Sequence, residues 1–346
     1  AGPGGNPARV AALAAGLGVR TCGLTVDRQC GSGLEAINLA ARLAEAGAGE
    51  VYLAGGAESA STALWRLERP RSGTDLPRVT GRARFSPDTV GDPDMGVAAE
   101  TVARQHGISR ERQDRFAADS HRKAAEAAAA GRFDAELVAV RGSRFRPRAA
   151  GDGDAGGRTL LDRDKGPRPR LTAEALARFP AAFVDGGTVT VGNSCPLNDG
   201  AAVVAVVSER VRRRLDLPGL RVVDAAAAGV DPAVLGIGPV DATRALLARH
   251  PELQVGDLDI IEFNEAFAGQ VRACLDALGI DETRVNSAGG AVALGHPWGA
   301  AGAVLVVRLF TAMVREQDAA VSPPRRGLAT LGAAGGMGIA TLLEAV

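Results

Sequence analysis

The chain is poor in aromatic side chains, which make up 3% of its 346 residues. It has no excess of either charge, since Lys+Arg and Asp+Glu both count 40. A phosphate backbone would find no basic surface and bases few rings to stack on, so no nucleic acid is expected as a partner. Apolar runs stay short of the roughly 20 residues that span a bilayer, so no membrane is expected either. No basic stretch leading into an apolar one marks an export signal. Cys22, Cys30, Cys195 and Cys274 show no C-x-x-C spacing, and the four histidines form no ligand pairs. Neither a metal site nor a disulfide framework is expected, and a reduced, cytoplasmic setting follows. What the chain does have is glycine, 45 residues, and a hydrophobic fraction of 46%. That suffices for a large core in two or more lobes and suits an α/β protein with tight strand–helix turns.

The chain opens on a loop and a short helix, "AGPGGNPARVAALAAGLG". "GLTVDRQC" reads as an extended buried segment, "GSGLEAINLAARLAEAG" as an apolar-periodic helix ending in Gly, and "EVYLAGGAES" as a second buried strand. That strand–helix–strand rhythm argues for a parallel sheet. Residues 63 to about 181 differ: Pro-, Arg- and Gly-rich loops surround one strong helix, "SRERQDRFAADSHRKAAEAAAAGRFDAE". Ser109 can cap it, Glu111 lies in its first turn and Gly131 sits past its end. The region reads as an excursion from the core, able to form a lid, a ligand wall or an oligomer contact. Core-like strand and helix return at "TVTVGNSCPLNDGAAVVAVVSERVRRRL", and from 220 onward the first rhythm recurs.

Cys30, in "VDRQCGSGLEA", falls between an extended segment and a helix N-terminus. The partial positive charge there favours thiolate and is expected to lower the thiol pKa. The glycines that follow let a carbonyl approach, and a backbone N–H can serve as an oxyanion donor. The alternative is a buried structural cysteine. His296, in "GGAVALGHPWGAAGA", is held between Gly295 and Pro297 on a turn, where an imidazole can take a thiol proton and return it. The alternative is a satisfied turn histidine. His106, His121 and His250 sit in polar contexts and read as surface residues. In "FNEAFAG", Asn264 could cap the following helix or orient a water or the imidazole. Glu265 would be costly to bury unpaired and is expected to bind backbone N–H groups.

"VDRQCGSGLEA", "GGAES", "DMGVAAE", "GTVTVGN", "NDGAA", "NEAFA", "GGAVALGHPWGAAG" and "GLATLGAAGGMG" stand in the order and spacing of the thiolase family, which the chain resembles over essentially its whole length. The resemblance implies a five-layered α-β-α-β-α fold of two similar halves. They would be 1–62 with 182–210, and 211–346, with 63–181 as an inserted loop domain. It implies a homodimer or homotetramer acting on acyl-CoA, with no cofactor beyond the coenzyme A thioester substrate. Residue by residue, Cys30 matches the acylated cysteine, His296 the histidine that activates it, and Asn264 the asparagine that holds an oxyanion-hole water. The N–H groups of Cys30 and Ala334 match a second oxyanion hole. Met95 and Cys195 match positions lining the acyl and pantetheine channel, and Phe267 joins them as a substrate-binding position.

The sequence departs from the family pattern in three places. A few dozen residues usually precede "GGNPAR", including a first core strand, so a longer native chain is expected. Cys195 stands where serine is common, and a thiol is a poorer hydrogen-bond partner for the pantetheine amide. Gly332 stands where thiolases carry a second cysteine, the acid–base group of the carbon–carbon step, and Ala334 replaces a glycine beside it. A general acid–base group contributes roughly two to four powers of ten. Acylation of Cys30 is therefore expected to survive while ordinary Claisen condensation and thiolysis are impaired. The acyl group would pass to an oxygen or nitrogen acceptor, or to a carbanion made by decarboxylation. Two other readings remain: a conventional acetyl-CoA acetyltransferase or 3-ketoacyl-CoA thiolase, and a non-catalytic subunit that binds acyl-CoA or a partner.

Overall fold

A computed structural model describes residues 5–70, 72–141, 159–316 and 325–346. The chain runs α1 (Pro7–Ala14), α2 (Ser32–Glu45), β1 (Val51–Glu58), β2 (Arg66–Glu68), β3 (Arg78–Thr80), α3 (Met95–Gln105), α4 (Arg110–Ala129), β4 (Val140–Arg141), β5 (Thr159–Leu161), α5 (Ala173–Leu176) and β6 (Gly200–Val207). It continues through α6 (Glu209–Leu215), β7 (Leu220–Gly229), α7 (Gly238–Leu247), β8 (Ile260–Phe263), α8 (Ala268–Leu278), α9 (Ala291–Leu294), α10 (Trp298–Phe310), β9 (Arg326–Ala333) and β10 (Met337–Ala345). Local chemistry sets several boundaries. The Ser109 hydroxyl accepts the Arg112 N–H at 3.3 Å to open α4, and Gly131, at φ +71°, turns the chain out beyond its end. In α2 the buried residues Leu34, Ile37 and Ala41 recur at helical spacing and aim one face at the core.

β7, β10, β9 and β8 form a four-stranded sheet in that order, and β1 pairs with β6. Among the described strands, the parallel pairing expected from the strand–helix rhythm is met between β8 and β9, while β1–β6, β7–β10 and β10–β9 are antiparallel. The connection β9–β10 is a tight glycine turn, so that pair closes as a hairpin. A second expectation fails at "GLTVDRQC". Residues 21–27 form no strand and Leu24 is 65% exposed, because no strand among the described residues pairs with their backbone. The expected loop around 142–158 lies outside the described residues.

Helices α2 and α10 pack on each other between the two sheets, touching β1 and β6 on one side and reaching β9, β8 and β10 on the other. α7 covers the far face of the four-stranded sheet, with α8 beside it and α3 and α4 packed on α8. One core, including Leu34, Ile37, Leu309, Leu331 and Ile339, fills the space between the sheets. Another, including Leu246, Phe263, Val271 and Leu328, lies beneath α7 and α8. Trp298–Arg315 is 18 residues long and apolar enough to cross a bilayer, but 61% of it is buried inside the fold, as befits a core helix.

The central helices approach so closely that backbone meets backbone. A Cβ added at Gly56 of β1 would stand 1.8 Å from the Gly299 carbonyl oxygen, and one at Gly33 of α2 would stand 2.8 Å from the same atom. The Glu58 carboxylate accepts the Gly299 N–H at 3.1 Å, placing negative charge at the start of α10. Gly56→Ala is therefore expected to lower stability by about 1–3 kcal/mol or more, because the clash is with backbone and cannot be relieved by a rotamer change. Chemical denaturation measures this; an unchanged midpoint would contradict the close approach.

Candidate active site

Cys30 sits at the head of α2 on a strained turn. Gln29 before it has φ 53°, a left-handed conformation that costs a non-glycine residue about 1–2 kcal/mol. Short local bonds hold the turn. The Ser32 hydroxyl donates to the Gln29 carbonyl at 2.7 Å and accepts the Arg28 N–H at 2.9 Å, while Asp27 accepts the Gln29 N–H at 2.9 Å. The thiol faces the β9–β10 connection, where the Ala334 N–H favours its charged form.

His296 follows α9. Gly295 at φ +104° makes the bend, and a side chain there would collide with Asn198. The ring is buried at 3% exposure, Nε2 standing 3.4 Å from Asn264 Nδ2. Asn264 does not cap the next helix, which begins four residues later at Ala268 after Phe267. Its own N–H instead donates to the Thr330 carbonyl at 3.1 Å, fixing it at the end of β8 beside β9. Cys30, His296, Phe267, Met95, Cys195, Gly332 and Ala334 all line one large open cleft, and Asn264 reaches it through its contact with His296. Cys195 is anchored by its N–H to the Ala266 carbonyl at 3.0 Å.

Electrostatics reverse one expectation. Burial pushes the Cys30 thiol up to about 11; the N–H groups of Ala334 and of Cys30 itself oppose this and do not prevail. Burial likewise lowers His296 to about 4, and burial with the nearby Cys30 charge raises Cys195 to about 12. The helix N-terminus that was expected to favour thiolate is outweighed by desolvation. The resting pair is thus neutral thiol and neutral imidazole, the form in which His296 can accept a proton. His121 also departs from its surface reading: it is 5% exposed and its Nδ1 accepts the Arg168 N–H at 3.2 Å.

Gly332 leaves genuine room. A Cβ there would find nothing nearer than Pro239 Cδ at 3.6 Å and the Leu235 carbonyl at 3.7 Å, ordinary van der Waals contacts. Sequence reading missed Phe183, whose ring meets Phe267 edge-to-face at 6.0 Å on the wall of the cleft. It sits in an irregular segment without periodicity, so only the tertiary contact identifies it.

The family described as "Thiolase, N-terminal domain" matches residues 1–210, and "Thiolase, C-terminal domain" matches residues 217–345. The layered α/β fold is that of an acyltransferase, and the chain belongs to the thiolase family. A protein of Staphylococcus epidermidis that carries the name acetyl-CoA C-acetyltransferase VraB is 42% identical over 348 residues, covering 99% of this chain and 84% of that protein. The VraB of a Staphylococcus aureus strain is 41% identical over 346 residues, with the same coverage. Among solved structures, the acetyl-CoA acetyltransferase of Bacillus anthracis superposes with TM-score 0.86 at 36% identity, covering 99% of this chain and 83% of that one. Human mitochondrial 3-ketoacyl-CoA thiolase does so with TM-score 0.85 at 32% identity, covering 98% and 83%.

A neutral pair has a pH signature. With the thiol near 11 and the imidazole near 4, deprotonation of Cys30 sets in only well above neutrality. Alkylation of Cys30 by iodoacetamide should keep climbing from neutral into strongly alkaline buffer. A rate already level at neutral pH would instead reveal a thiolate–imidazolium pair.

Proposed function

We propose that the protein takes an acyl group from an acyl-CoA thioester onto Cys30 and hands it to an acceptor other than the enolate of acetyl-CoA. His296 takes the thiol proton as sulfur attacks the thioester carbonyl. The N–H groups of Cys30 and Ala334 stabilise the oxyanion on one side, and Asn264 acts with His296 on the other. The tetrahedral intermediate collapses, His296 protonates the departing coenzyme A sulfur, and acyl-Cys30 remains. In the second half His296 removes a proton from an oxygen or nitrogen acceptor, which attacks the acyl carbon and releases the Cys30 thiol. Met95, Phe267 and Cys195 line the path of the acyl and pantetheine chains. The names of the relatives and the cleft shared by Cys30 and His296 support the first half.

Gly332 is the single observation that carries the second half. Glycine offers no proton acceptor, and loss of a general acid–base group lowers a rate by roughly two to four powers of ten, about 3–5 kcal/mol. Intact-protein mass spectrometry after incubation with acyl-CoA should find an adduct on wild-type protein and none on Cys30→Ala; no adduct on either removes the proposal. Because the space at position 332 accepts a side chain, Gly332→Cys should fold and raise acetoacetyl-CoA thiolysis about 100-fold or more. A second reading, conventional acetyl-CoA C-acetyl transfer, is equally compatible with the relatives' names. Wild-type thiolysis at ordinary enzyme rates, about 1–1000 per second, would establish that reading instead.

The same proposal includes self-association as a homodimer or homotetramer. Leu64, Trp65 and Leu76, at 75–87% exposure around the β2–β3 hairpin, support a protein contact there. Light scattering should give a multiple of the chain mass, and a monomer at micromolar concentration would exclude it.

A further inference from the structure

The residue after Asn264 is a carboxylate buried at 1% exposure. Glu265 Oε2 accepts from the Ser120 hydroxyl at 2.7 Å and from the Val292 N–H at 3.1 Å. Its Oε1 accepts from Asn286 Nδ2 at 2.7 Å. The expected backbone N–H contact is there, but two side chains join it. Those donors come from separate parts of the chain. Ser120 belongs to α4 in the region between the two halves of the core. Val292 lies in α9, which leads through Gly295 directly into His296. Asn286 faces back to β8, exchanging bonds of 2.8 Å with both the N–H and the carbonyl of Phe263. Space is reserved for the group, since a Cβ on Gly290 would come within 2.3 Å of the carboxylate carbon.

We propose that Glu265 is a positioning residue, whose carboxylate holds Asn264 and His296 in register with each other and with α4. The requirement is for an acceptor on both oxygens. Asn286 cannot turn its amide, because each end is committed to Phe263. A glutamine at 265 would therefore set an N–H against Asn286 Nδ2, or against the Val292 N–H, whichever way it turned. Either arrangement leaves buried donors unpaired and displaces one of the two segments. A shift of about 1 Å in a reacting group is worth on the order of 100-fold in rate.

The test uses Glu265→Gln and Ser120→Ala in the full chain. Its kinetic arm rests on the acyl-enzyme reading: the single-turnover rate of coenzyme A release and its half-saturating acyl-CoA concentration. Glu265→Gln is expected to slow acylation about 100-fold with half-saturation changed by less than about twofold, and Ser120→Ala to slow it less. A second arm needs no acyl substrate: iodoacetamide alkylation of Cys30 at one fixed alkaline pH, with His296→Asn setting the full effect. Both variants should move alkylation toward the His296→Asn value. The proposal is overturned if both variants acylate and alkylate like wild type, or if the losses vanish once rates are scaled to the folded fraction. Should Glu265→Gln not fold, Ser120→Ala decides by the same criteria. Should wild type form no acyl adduct, the acyl-enzyme reading fails by itself and the alkylation arm still decides the role of Glu265.

Discussion

The architecture turns on a place where two backbones touch. Gly56 of β1 lies so close to Gly299 of α10 that no side chain fits between them, and Gly33 of α2 shares the same carbonyl. This contact lets two sheets share one pair of helices. It also brings the first turn of α2, which follows Cys30, near the first turn of α10, which follows His296. Glu58 closes the arrangement by accepting the Gly299 N–H. Cys30 and His296 stand 266 positions apart in the sequence, and this close packing converts that separation into one cleft.

Around that contact the chain accepts local strain where side chains must be aimed. Gln29 adopts a left-handed conformation to turn Cys30 toward the β9–β10 connection, and Gly295 bends the backbone to present His296. Both lie against well-packed elements, with Leu34 fully buried at the head of α2 and Ala300 fully buried in α10. Rigid neighbours are what allow such conformations to persist. Burial then fixes the protonation states, since desolvation disfavours charge on thiol and imidazole alike.

Much of this was legible in the sequence because the motifs are local. Ser109 and Gly131 bound a helix by their own chemistry, and the glycines around Cys30 and His296 mark close approach. What was not legible depends on distant partners. The helix dipole at Cys30 is a local signal, whereas the desolvation that overrides it comes from the whole cleft wall. His121 looks solvated among Ser, Arg and Lys, yet the backbone N–H of Arg168 covers its ring nitrogen. Asn264 suits a helix cap as well as a partner of the imidazole by local sequence, and it is the start of α8 at Ala268 that excludes the cap. Residues 21–27 carry strand-like composition, but pattern alone cannot supply the neighbour that would pair them.

The neutral resting state of Cys30 bears on how long the protein stays usable. Peroxide and adventitious electrophiles attack thiolate far faster than thiol, so a sulfur held protonated by its surroundings is a poor target for them. Under the proposed mechanism its reactivity is drawn out only when His296 receives the proton during attack on a docked ester. The burial that withholds charge from Cys30 thus works as chemical armour for the sulfur on which the proposed mechanism depends.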